Sequence, residues 1–372
     1  MKRIYLLVFA MLCLINFGCG SSNGSSSSKS ISKQSNMKPV FAYVTNDDVS
    51  SISVFGVDTN TGHLTPTQTL ATPGGGATYA EIHPSGSFLF VTAKLANSIS
   101  SFAIDPVTGT LSLVPGGTVP TGADPFNIIL DPDGRFLYVA NVVTNNVSAY
   151  VVNNNGTLAE IAGSPFASGL APYSLVTDKS GRFLYVTNRD SNNVSGYAID
   201  NVTGALSSIA GSPFAAGRGA RAIELSRDGK FAFVPNRFEN DITVYRVDTN
   251  SGALSQVAGS PFPTGSDPRS VTADPTGRFL YVPNMASNDV WAFLIDHETG
   301  MLTPIAGSPY PTGMAPHAAE VDPTGRFVYV ANSGSNSVSV YCLDRVSGGL
   351  SPLETVPTPG SAFSIAISGG GS

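Results

Sequence analysis

An aromatic residue opens the same short phrase seven times along this chain, at Phe41, Phe88, Phe136, Phe183, Phe231, Phe279 and Phe327, with gaps of 47, 48, 47, 48, 48 and 48 residues. A second series, Phe55, Phe102, Tyr150, Tyr197, Tyr245, Phe293 and Tyr341, repeats the same gaps. A period in the forties denotes a stacked array or a propeller, in which each copy buries its apolar face on the next. Within a unit the pattern is four short strands between turn signals. Asn127-Ile128-Ile129-Leu130 is closed by Asp131-Pro132-Asp133-Gly134, and Arg135-Phe136-Leu137-Tyr138-Val139 ends at Asn141. The third strand type, at 290–295, runs into Asp296 and a turn closed by Thr299-Gly300; the fourth starts at Leu302 and reaches Ala306-Gly307-Ser308-Pro309. β-Branched and aromatic runs of this length, with Pro and Gly at the turns, predict a four-stranded antiparallel blade.

The ends decide between an open array and a ring. The first copy, from about Val40, lacks a first strand, whereas residues 361–367 read as a first strand with nothing after them. Together they complete one blade. The sequence therefore predicts an all-β, seven-bladed β-propeller over residues 38–368, closed by pairing of the C-terminal strand with the N-terminal blade. Composition agrees. With 39 Gly and 26 Pro a coiled coil is excluded, and 42% apolar residues exclude disorder. Charged residues are only 12%, the net charge is −6 and no Lys/Arg run occurs, which excludes a nucleic-acid partner.

Lys2 and Arg3 precede an uncharged run over 4–15, followed by Asn16-Phe17-Gly18-Cys19. This predicts a signal peptide over 1–18, since the apolar run is too short to span a bilayer permanently. Gly18-Cys19 resembles the lipobox of bacterial lipoproteins, which makes Cys19 the expected lipidation site. The Ser-rich segment 19–37 then reads as a tether. The expected location is the cell envelope, at an outer membrane if the cell has one, with membrane contact through the lipid alone. Cys342 lies inside a strand pattern and reads as a small apolar residue.

Chemistry should sit where the repeats disagree. The first strand of each blade lines the channel. Aligning on its closing turn places Thr78, Phe126, Tyr173, Arg221, Arg269, His317 and Phe363 at one mouth position. In ring order Arg221, Arg269 and His317 form a cationic arc, completed by a mainly aromatic arc. Three residues further along, Glu81, Glu224 and Glu320 share one level. Arginine forks bind carboxylate or phosphate, aromatic faces hold a ring, and a carboxylate beside a histidine can orient it for proton transfer. The candidate catalytic residues are His317, Glu320 and Glu224; the candidate substrate-binding residues are Arg221, Arg269, Tyr173, Phe126, Phe363 and Glu81. Arg221–Glu224 and His317–Glu320 could instead be structural ion pairs plugging the channel. No Cys-x-x-Cys-His, metal-spaced His/Cys cluster, Gly-x-Ser-x-Gly elbow or phosphate loop occurs, so no metal and no cofactor is expected.

The phrases Tyr43-Val44-Thr45-Asn46, Tyr185-Val186-Thr187-Asn188 and Tyr138-Val139-Ala140-Asn141 resemble the YVTN repeat, and Asp-Pro-Thr-Gly-Arg-Phe at 274–279 and 322–327 is similar to the lactonase-type seven-bladed propellers. That group includes 6-phosphogluconolactonase and carboxymuconate cyclase, while YVTN repeats also occur in surface-layer proteins. The resemblance implies a channel site using Pro-His and Pro-Arg-His elements. Pro316-His317 matches the first and Pro268-Arg269 half of the second, whereas Ala220-Arg221 lacks the proline. Two functional readings follow. The first is a monomeric, lipid-anchored envelope propeller that binds a surface protein or glycan. The alternative is a lactonase-like hydrolase or cyclase acting on a small anionic lactone in the central channel.

Overall fold

The computed structural model describes residues 39–369. The signal segment, Cys19 and the tether lie outside the described residues. Seven antiparallel sheets follow one another around a ring, with no helix among the described residues. Blade one runs from outside to inside as Leu64–Ala71, Ser51–Val57, Val40–Asn46 and Ala362–Ile367. The last strand of the chain thus pairs with the first, Val44 opposite Ile365 and Ala42 opposite Ile367. The ring closes as the complementary ends require. Blades two to seven occupy residues 77–120, 125–167, 172–215, 220–263, 268–311 and 316–357.

The second strand of each blade lies between two neighbouring blades and is buried on both faces, as in Phe136–Asn141 and Phe327–Asn332. Alternation then assigns partners. Phe136, Tyr138 and Ala140 pack against Leu184 and Val186 of blade four, while Leu137 and Val139 join Phe90 and Ile99 of blade two. The most regular contact joins each phrase-opening phenylalanine to a turn glycine of the next blade. A Cβ on Gly62, Gly109, Gly156, Gly204, Gly252, Gly300 or Gly348 would fall 2.3–2.6 Å from the ring of Phe327, Phe41, Phe88, Phe136, Phe183, Phe231 or Phe279. All seven glycines have φ of 71–81°. Glycine is therefore required twice at each place, by the left-handed turn and by the ring pressed on it.

A tyrosine two residues on donates its hydroxyl to the same glycine's carbonyl. The bonds are Tyr43–Gly109 (3.1 Å), Tyr138–Gly204 (2.9 Å), Tyr185–Gly252 (2.8 Å), Tyr281–Gly348 (2.9 Å) and Tyr329–Gly62 (3.0 Å). The threonine of the YVTN phrases, and Thr92 at the same place in Phe90-Val91-Thr92-Ala93, works near the axis. Thr45, Thr92 and Thr187 each donate Oγ1 to an inner-strand carbonyl of the next blade, at Thr78 (2.7 Å), Phe126 (2.8 Å) and Arg221 (3.3 Å).

Two departures from a plain four-stranded blade have local causes. In blades three to six the outer strand splits into two short pieces, as at Leu158–Glu160 and Phe166–Ala167. The Gly-Ser-Pro turn between them leaves an N–H of the third strand without its ladder carbonyl. A serine hydroxyl replaces it: Ala149, Gly196, Val244 and Ala292 N–H donate to Oγ of Ser164, Ser212, Ser260 and Ser308 at 2.8–3.0 Å. In blades five and six the inner strand shrinks to Glu224–Leu225 and Thr272–Ala273. Here the second strand carries Pro235 and Pro283, whose carbonyls still accept from Arg221 and Arg269 N–H at 3.0 Å but which have no N–H to return. The ladder loosens at the two arginines.

The clamp gives a paired stability test. Gly62→Ala meets both the φ penalty and the Phe327 ring and should lose about 2–5 kcal/mol. Gly86→Ala, at φ 72° with nothing near its Cβ, should lose about 1 kcal/mol. Equal denaturant midpoints for the two variants would show that the clamp contributes nothing.

Candidate active site

The channel is divided into two chambers. On the side of the YVxN loops a funnel of about 610 Å³ is lined by Asp47, Lys94, Asp124, Phe126, Tyr173, Arg221, Arg269, His317 and Phe363 among others. On the other side a chamber of about 360 Å³ is lined by Glu81, Glu224 and Glu320 together with Asn127, Ser174, Ser270 and Ser364. No residue lines both. Between them stands an aromatic septum. His317 stacks on Phe363 with centroids 3.7 Å apart, Phe126 lies 3.8 Å from Tyr173, and Tyr79 approaches Phe126, Phe363 and His317 at 5.2, 6.1 and 6.5 Å.

Tyr79 was not among the residues expected here. Its neighbour Thr78 occupies the aligned mouth position but is fully buried, with Oγ1 bonded to Thr92 Oγ1 (2.8 Å) and Pro125 O (3.2 Å). Thr78 is too short to reach the axis. Tyr79, at the level where other blades carry Asn127, Ser174, Ala222, Ser270, Ala318 and Ser364, fills the gap. The legible signal was size, since no other residue at that level is bulky.

The cationic arc forms at the funnel floor. Arg221, Arg269 and His317 retain 3%, 8% and 3% of their exposure. Arg221 Nη2 lies 3.1 Å from His317 Nε2, and His317 Nδ1 lies 3.0 Å from the Phe363 carbonyl. The partners assign the tautomer: a guanidinium only donates and a carbonyl only accepts, so Nδ1 carries the proton and Nε2 accepts. Burial, followed by the charges of Arg221 and Arg269, holds the imidazole well below the usual histidine pKa. His317 is a neutral base with its lone pair facing a cation.

The arginines differ in compensation. Arg269 Nη2 bonds Asp267 at 2.7 Å, and the same carboxylate takes Arg237 Nε at 3.0 Å. Arg221 has no carboxylate partner among the described residues; its Cζ lies 4.2 Å from the Tyr173 centroid and 5.6 Å from that of Phe126. The Nε atoms of both Arg221 and Arg269 are buried with no hydrogen-bond partner. Desolvation, then the neighbouring Arg221 charge, pushes Arg269 down to about 10, which still leaves it cationic at neutral pH. At the rim Lys94 Nζ meets Asp47 Oδ2 at 2.5 Å. Two underpartnered buried cations thus line an accessible funnel, an arrangement chemically suited to an anion.

The glutamates are brought together, but elsewhere. Three residues of extended strand cover about 10 Å, and this rise places Glu81, Glu224 and Glu320 in the second chamber. The Arg221–Glu224 and His317–Glu320 ion pairs do not form among the described residues, and the Phe363 carbonyl, rather than Glu320 or Glu224, orients His317. Burial is the leading cause that pushes each of the three carboxyls up to about 8.

The family described as "Lactonase, 7-bladed beta-propeller" matches at residues 34–165, 118–213, 206–315 and 306–369. The chain belongs to this lactonase family. Among solved structures, a Bacteroides uniformis protein provisionally described as a 6-phosphogluconolactonase superposes with TM-score 0.81 at 21% identity, covering 89% of this chain and 100% of that one. The Pseudomonas aeruginosa periplasmic gluconolactonase gives TM-score 0.79 at 23% identity, covering 89% and 99%. A Lactobacillus plantarum protein gives 0.77 at 22%, covering 89% and 100%. No protein of curated function matches the sequence. Membership of the lactonase family overturns the first functional expectation, a surface-binding module. The buried arginines of this family member, Arg221 and Arg269, line the central funnel.

The second chamber yields a pH test with a definite sign. Between about pH 4.5 and 8 the unfolded chain ionises these glutamates while the folded chain keeps their protons, so their contribution to stability falls as pH rises. Unfolding midpoints followed over pH 5–9 should decline less steeply in a Glu81→Gln, Glu224→Gln, Glu320→Gln triple variant than in the unchanged chain. Parallel profiles would place the carboxyls in ordinary solvent.

Proposed function

We propose that this lactonase-family propeller hydrolyses a small lactone bearing a carboxylate or phosphate, bound in the funnel. The observation that carries the reading is the pair of buried guanidinium groups, each with an unpartnered Nε, beside a neutral histidine of assigned tautomer. Arg269, held by Asp267, and Arg221 take the anionic substituent. Phe126, Tyr173 and Phe363 supply flat apolar faces for the lactone ring.

The reaction needs a water polarised toward the ester carbonyl. His317 Nε2 takes a proton as the water oxygen bonds to the carbonyl carbon. The tetrahedral intermediate, its oxyanion beside the arginines, then expels the ring oxygen. The C–O bond breaks, and the proton held on Nε2 passes to the leaving alkoxide, giving the open hydroxy acid. The Phe363 carbonyl keeps Nδ1 protonated throughout, so Nε2 is the working nitrogen. Tyr79, whose hydroxyl burial pushes up to about 12, stays neutral and closes the floor.

Purified full-length protein should hydrolyse a member of a panel of anionic lactones, and His317→Ala should lower kcat/KM about 10²–10⁴-fold, the range for losing a general base. Turnover unchanged in that variant removes His317 from the chemistry. Turnover by none of the panel removes the proposed activity.

Export with lipid attachment at Cys19 belongs to the same proposal and rests on the basic start, the apolar run and Gly18-Cys19. In bacteria fed labelled palmitate, the intact protein should take up label and Cys19→Ser should not. Equal labelling of both refutes attachment at that cysteine.

A further inference from the structure

We propose that Arg221 is an anion-operated latch on His317, so that the base is released only when a ligand presents a carboxylate or phosphate to the funnel floor. The inference rests on the hydrolytic reading above and adds to it a reason for substrate selectivity.

In the ligand-free geometry the Nε2 lone pair that hydrolysis needs is already used. Arg221 Nη2 donates to it across 3.1 Å. Arginine does not give up a proton in this range, so the contact cannot invert and Nε2 cannot take a proton from water while it lasts. The latch is nevertheless weakly held. The side-chain acceptor that Arg221 meets is the neutral His317 Nε2. Its Nε is buried without a partner, and the rest of the group lies on the aromatic faces of Tyr173 and Phe126.

The neighbouring arginines are held otherwise. Arg269 and Arg237 share Asp267, and Arg189 is paired with Asp190. Of the basic groups around the floor, Arg221 is thus the one a ligand anion can recruit without first breaking an ion pair. The bond to Nε2 has a charged donor but a neutral acceptor, whereas an oxyanion brings the opposite charge and can take two guanidinium N–H groups at once. An oxyanion placed between Arg221 and Arg269 therefore outcompetes the imidazole for the guanidinium. Nε2 is then free, and the anion offsets the positive charge that disfavours a protonated imidazole. A neutral lactone can enter the same funnel but meets an occupied base. A merely electropositive pocket would favour anionic lactones through KM; a latch favours them through kcat.

The test uses full-length protein labelled with ¹⁵N-histidine and inorganic phosphate as the probe. Without phosphate, His317 should show the Nδ1–H tautomer with a hydrogen-bonded Nε2. Saturating phosphate should move Nε2 to the chemical shift of a released acceptor and raise the proton affinity of the ring at least tenfold. The charged and titratable groups facing the ring are Arg221, Arg269, Lys94 and Tyr79. An Nε2 resonance that phosphate leaves in place overturns the latch. In the kinetic arm, Arg221→Met should raise kcat on a neutral lactone at least fivefold while lowering kcat/KM on an anionic one at least 100-fold. A loss on the anionic lactone with no gain on the neutral one makes Arg221 a binding residue only and also overturns the latch. The phosphate titration needs neither turnover nor a variant. If no lactone is hydrolysed, the proposed activity fails while the resonance of His317 still decides for or against the latch.

Discussion

Each blade of this propeller is held to the next by a phenylalanine ring pressed on a glycine that can be nothing else. The contact occurs at all seven interfaces, including Phe327 on Gly62, where the chain's last complete blade meets its first. The turn needs a left-handed residue and the ring needs the missing Cβ, so one glycine satisfies a backbone and a packing demand together. The tyrosine hydroxyl bonds to the same glycine carbonyls at five interfaces fix the angle at which blades meet. Burying a Phe side chain contributes about 1.5–3 kcal/mol, and the contact is repeated at every interface. Closure of the ring brings seven inner strands to one axis.

The regular clamps between blades contrast with irregularity at the centre. Pro235 and Pro283 remove ladder donors at the two blades whose inner strands carry Arg221 and Arg269. The backbone is loosened there, and the two guanidinium groups occupy the funnel floor without full complements of acceptors. Leaving buried donors unsatisfied costs stability. In the proposed function the anionic substituent of the lactone satisfies them. The aromatic septum divides the axis into an electropositive funnel and a chamber of protonated carboxyls, two environments with opposite demands on charge.

The sevenfold ring, the strand order and the closing strand were legible because they depend on local alternation and on a period that survives substitution. The convergence of Arg221, Arg269 and His317 was legible for the same reason, since equivalent positions of a closed repeat share an axis. Less could be read about partners. Glu224 and Glu320 lie three residues beyond Arg221 and His317 in the same inner segments, close enough in sequence to suggest ion pairs, yet they sit behind the septum. Tyr79 was hidden behind Thr78 because an alignment assigns levels and takes no account of side-chain length. The Val-Pro-Asn phrases at 234–236 and 282–284 were visible, but their meaning depends on which strand needs the missing N–H.

The amino-acid sequence by itself determined the architecture, for periodicity, turn glycines and complementary ends act through neighbours along the chain or in the next copy. Only the tertiary structure decided which nitrogen of His317 carries its proton, which arginine lacks a counter-charge, and that the carboxyls belong to a separate chamber. Those properties arise where seven distant segments meet across a few ångströms. There burial and the nearest acceptor set protonation and charge, and spacing along the chain carries no record of either.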